Sequence, residues 1–105
     1  MTPTKISSQR YIDPAIVAAK QTNRDYAVTL SPAFSVDGET YQVVMDGHHS
    51  LAAALADGVD PEYAVADASD SDRVALLVAG EIDDFLEICR MDSDWYDIST
   101  GRDVW

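Results

Sequence analysis

Basic residues are scarce in this chain: seven Lys and Arg stand against nineteen Asp and Glu, a formal net charge of −12. Nucleic-acid binding takes most of its affinity from cations meeting phosphates, so direct DNA or RNA binding is not expected. Cysteine is rarer still. Cys89 stands alone, which excludes a disulfide framework and leaves any cysteine-based metal site without partners. Its expected role is that of a small apolar residue on a helix face. Apolar runs are broken by charge or glycine within a few residues, so no membrane-spanning segment is expected. Met1 to Arg10 lacks the apolar core of a signal peptide, and the default expectation is a cytoplasmic protein with no membrane partner.

What the chain does contain argues for a packed domain. Apolar residues make up 47% of 105 residues, with two tryptophans and five tyrosines, which is too much apolar surface for a disordered chain. The length suits one modest core, and a single domain over residues 1–105 is expected.

Lys5 to Ser8 can add a short strand. Asp13-Pro14 is a good helix start, with Ile12, Ala15, Ile16 and Ala19 at helical spacing and Asn23 at the end. Asp25 to Leu30 reads as a strand, Ser31-Pro32 interrupts it, and Phe34 to Val36 resumes. Asp37-Gly38 is a hairpin turn signal, so Tyr26 to Met45 reads as a hairpin. After Gly58, Glu62 to Ala66 reads as a short strand. From Arg73 to Cys89, apolar residues recur every three to four positions, with a break into two helices expected at Gly80. In the tail, residues 92–105, acids mix with Trp95, Tyr96, Ile98 and Trp105. These aromatics are expected to anchor it on the body, an exposed aromatic-acidic patch for a partner being the sharper alternative.

Chemistry concentrates in one place. Val43-Val44-Met45 is strand-forming, Asp46-Gly47 is turn chemistry, and His48 to Ala56 is rich in helix formers before Asp57-Gly58. A strand feeding directly into a helix leaves the first helical amides unpaired. With the helix dipole, those amides make a natural anion site. The amides of His48, His49 and Ser50, the Ser50 hydroxyl and an imidazole could together hold a phosphate. The imidazoles would help most when protonated.

Asp46-Gly47-His48-His49-Ser50-Leu51-Ala52-Ala53-Ala54 resembles the phosphate-binding motif of the ParB/sulfiredoxin-like superfamily. That superfamily includes ParB partition proteins, sulfiredoxins and free-serine kinases, and its turn holds nucleotide phosphates. The resemblance implies a small mixed sheet with a strand–turn–helix motif and C-terminal helices, an α/β (α+β) fold. It implies a phosphate or nucleotide ligand at Asp46, Gly47, His48, His49 and Ser50, a nucleotide with Mg2+ as the cofactor class, and kinase or nucleotidase activity. The kinase members' aspartate-glycine-histidine-histidine version is the closest. Three departures stand beside it. Ser50 occupies the place where many relatives have arginine, the catalytic cysteine of sulfiredoxins is missing from the turn, and the basic half of the CTP-binding ParB version is absent.

The competing expectation is structural. Asp46 can cap the helix through the amide of His48 or His49, filling the anion site with its own carboxylate, and His49 can pack under the sheet. A metal site at Asp46, His48 and His49 is disfavoured because adjacent helical residues point about 100° apart, although Asp67, Asp70 and Asp72 could add carboxylates. No serine–histidine–acid triad can be assembled from spacing, and no catalytic residue is assigned. The alternative function is a catalytically inactive interaction or inhibitor module whose acidic surface takes a basic protein partner.

Overall fold

Local chemistry sets the element boundaries in the computed structural model, which describes residues 2–105. The elements run β1 (Thr4–Ser7), α1 (Pro14–Asn23), β2 (Ala27–Leu30), β3 (Phe34–Val36), β4 (Glu39–Asp46), α2 (His48–Asp57), β5 (Glu62–Val65), α3 (Asp72–Val78), α4 (Ile82–Cys89) and β6 (Tyr96–Asp97). Asp13 accepts from the Ala15 amide at 2.9 Å and Pro14 opens α1, the capping chemistry that its sequence announces. Ser71 does the same for α3 through the Val74 amide. Asp37 and Gly38, with φ of 52° and 84°, give the left-handed pair that a two-residue hairpin turn needs.

The strands form one mixed sheet in the order β5-β2-β4-β1-β6, with β3 also paired to β4. β1 runs parallel to β4 and β5 parallel to β2, whereas β2 and β3 are antiparallel to β4. β2 and β3 therefore act as one interrupted strand along β4. At the interruption Pro32 has no amide to donate, and Ser31 compensates: its amide donates to Val43 O at 2.8 Å and its hydroxyl accepts from Val43 N at 2.9 Å. The β2–β4 register jumps from Thr29↔Asp46 to Leu30↔Val44. Met45 is thus an extra residue on β4, a bulge placed just before the strand turns into α2.

Alternation along β4 sends Val43 and Val44 to opposite faces, and each face has its own core. On one, Ile6, Tyr41 and Val43 pack with Phe34, Leu77, Phe85, Cys89 and Trp95 beneath α3 and α4. Phe85 is wholly buried and meets Phe34 edge to face at 5.9 Å. On the other face, Val28, Leu30 and Val44 pack under Leu51 of α2. α1 lies against α2 rather than the sheet and has no fully buried residue, so the apolar spacing at Ile16 serves a surface that remains partly open.

The C-terminal segment returns to the sheet. Trp95 is buried, β6 pairs antiparallel with β1, and the Trp105 ring lies 5.1 Å from Tyr41 and 6.3 Å from Trp95. Among the described residues, no helix is long and apolar enough to cross a membrane.

Candidate anion-binding site

Gly47 is the pivot between β4 and α2. It takes φ 89° and ψ 25° at the N-cap position, a conformation costly for residues bearing a Cβ. Space excludes a side chain as well. A Cβ there would collide with the Ala27 carbonyl oxygen and lie 3.0 Å from Val28 Cα. The turn is thereby pressed onto the backbone of β2.

The first intrahelical bond of α2 is Leu51 N to Gly47 O at 2.8 Å. Among the described residues, no side chain caps the helix. The Asp46 carboxylate accepts instead from Gly47 N, at 2.8 Å, so the expected cap on His48 or His49 is not formed. The reason is one of position: Asp46 is the last residue of β4, one place before the N-cap, and its short side chain reaches only the next amide. The amides of His48, His49 and Ser50 are left without a capping side chain.

The polar side chains of the turn are each engaged. His48 is buried, and its Nε2 lies 2.6 Å from Ser7 Oγ. Burial pushes its pKa below the ordinary histidine value, with the carboxylates of Asp46 and Asp92 pulling the other way. His49 Nε2 accepts from the Asp13 amide at 3.1 Å. That bond ties α2 to the start of α1, not to the underside of the sheet. Burial thus disfavours a positive charge on His48. Ser50 is buried and its hydroxyl donates to Asp25 Oδ1 at 3.3 Å.

The positive charge comes from Lys20 of α1. Its Nζ lies 2.9 Å from Asp25 Oδ2, and that bond, with the Ala27 amide second, holds the Asp25 carboxyl below its usual range. Gln9, Ile16 and Lys20 join residues 46–50 in lining a polar cleft of about 350 Å³, in which Asp46 is the one acid among the lining residues. Asp46, Gly47, His48, His49 and Ser50 thus converge on a single cleft. Sequence reading missed Lys20, Gln9 and Ser7. A hint lay in Lys20 itself, a cation in the helix that precedes the hairpin.

A second cavity, of about 360 Å³, lies between Leu51, Leu55, Pro61, Tyr63 and Ile98. It is mostly apolar and shares no residue with the 46–50 turn. Among the described residues, no cluster of three or more His, Cys, Asp or Glu is placed to hold a metal ion. Asp67, a candidate carboxylate, is occupied by the Ser69 amide at 2.8 Å.

No protein-family model, curated protein or solved structure matches this chain.

Proposed function

We propose that the cleft at the start of α2 binds the phosphate of a small phosphorylated ligand, a nucleotide being the class that the ParB/sulfiredoxin-like motif at residues 46–54 suggests. One observation carries the reading: the uncapped amides of His48, His49 and Ser50 belong to a cleft that Lys20 also lines. Lys20 stands in for the arginine absent at position 50. Any Mg2+ would have to arrive on the ligand's phosphates, with Asp46 the carboxylate at the rim of the cleft. The histidines serve as hydrogen-bonding groups, and no catalytic step is assigned to them.

Calorimetric titration with phosphate, ATP, ADP and CTP, with and without Mg2+, tests the reading. Lys20→Met removes a charged contact worth about 1.5–3 kcal/mol, so affinity should fall roughly tenfold to a hundredfold. The absence of heat from every ligand would refute it.

A second reading, an acidic interaction module, is favoured by the distribution of charge. Between Asp25 and Asp72 the chain has no lysine or arginine, but carries Asp37, Glu39, Asp46, Asp57, Asp60, Glu62, Asp67 and Asp70. That stretch contains β2 to β5 and α2, so one side of the sheet lacks counter-charge of its own. A basic protein is the matching partner.

A further inference from the structure

The two ends of the sheet are finished differently. Beyond β6 the chain folds back: Tyr96 bridges Asp103, Asp97 N donates to Arg102 O at 2.9 Å and Val104 N to Trp95 O at 3.0 Å. The opposite end is β5, the last strand in the order, with every residue exposed. Its inward bonds are defined, since Glu62 N donates to Tyr26 O and Ala66 N to Leu30 O, each at 2.8 Å. Successive residues in a strand present their main-chain groups to opposite sides. Glu62, Ala64 and Ala66 therefore face β2, and the N–H and C=O groups of Tyr63 and Val65 face outward. An edge of this kind is a ready template for another strand.

Its side chains specify a partner. Tyr63 and Val65, 41% and 58% exposed, lie on one face of the strand, and Glu62 with Ala64 on the other. Asp57, Asp60, Asp67 and Asp70 flank it in sequence, against which Lys5, 4.9 Å from the Tyr63 ring centre, is one cation. A second copy of this chain would bring the same acids to the same edge, and like charges directly opposite are unfavourable.

We infer that β5 is a docking edge for an extended segment of a basic partner protein with alternating cationic and apolar residues, which joins the sheet as an additional strand. Apolar side chains of the segment lie beside Tyr63 and Val65, its cations beside Glu62, and its main chain pairs with the outward groups of those two residues. The inference rests on the second reading and gives it a place on the molecule. It is independent of the phosphate cleft.

The test is an amide-resolved NMR titration of the full chain with the peptide acetyl-Lys-Val-Lys-Val-Lys-Val-amide and with its analogue N-methylated at alternate residues. The plain peptide should perturb the Tyr63 and Val65 amides and slow their exchange with solvent. Its affinity should fall about tenfold between roughly 50 and 300 mM salt. Val65→Pro removes an outward donor and no β2 bond, so it should keep the fold and abolish binding. Equal binding of the N-methylated peptide would overturn the inference without needing any variant. Perturbations mapping elsewhere would also overturn it while leaving the acidic-module reading standing, and no binding by either peptide would remove both. Dimerisation of the chain alone through β5, seen by sedimentation, would overturn it as well.

Discussion

Replacing Gly47 by alanine is the sharpest probe of how the site is built. Alanine at φ 89° carries left-handed strain of roughly 1–2 kcal/mol. Its Cβ would also overlap the Ala27 carbonyl oxygen, and forcing β2 aside costs about 1–3 kcal/mol more. The sum, about 2–5 kcal/mol, lowers the melting temperature of a domain of this size by roughly 10–30 °C. Gly58→Ala is the internal control. Gly58 has φ 68° and no atom within 4 Å of where a Cβ would stand, so it bears the strain without the collision. Thermal unfolding of both variants, followed by circular dichroism, should place Gly47→Ala at least about 4 °C below Gly58→Ala. Melting of the two within about 2 °C of each other would show that the turn is not pressed against β2, and the geometry argued for the cleft would fall with it.

The His48 site makes stability depend on pH. Its folded pKa lies below the ordinary 6.5 because of burial, so the unfolded chain binds the proton first. Stability is then fully present above about pH 6.5 and is lost as pH falls from there through the folded value. Melting temperature should drop between about pH 7 and 5 in the parent and be flatter in His48→Gln, and parallel slopes would contradict this. Ser7→Ala leaves buried His48 Nε2 without its partner at 2.6 Å and should cost about 1–3 kcal/mol by urea unfolding. Phe85→Ala empties a wholly buried ring site and should cost about 3–5 kcal/mol in the same assay. Ser71→Ala removes the α3 cap and should cost only about 1 kcal/mol.

Where bonds are local, the sequence was informative. Asp13-Pro14, Asp37-Gly38, Asp57-Gly58 and the break at Gly80 each set the backbone through one or two residues, and the elements start or stop there. The strand segments and the paired C-terminal helices follow from those marks and from spacing, whereas the mixed α/β sheet is what the motif resemblance implied. Sheet order was not legible, because β5 follows β4 in the chain yet pairs with β2, and β6 is two residues held by distant partners. The same limit applies to the cleft. Its turn could be read directly, but Lys20 and Gln9 arrive through the packing of α1 on α2, which no short-range pattern encodes. Helical spacing also overstated α1, whose Ile16 is 42% exposed. In α4 the apolar neighbours Ile88 and Cys89 compete for the inner face, and the smaller one takes it.

The aromatic meeting at the chain's end has a practical consequence. Trp95, Trp105 and Tyr41 stand edge-on with ring centres 5.1 and 6.3 Å apart, close enough for their electronic transitions to mix. Their near-ultraviolet ellipticity is therefore an unlabelled optical gauge of whether the last dozen residues are seated. Because the helices dominate the far-ultraviolet signal, lifting of the tail and melting of the body can be followed separately in one cuvette.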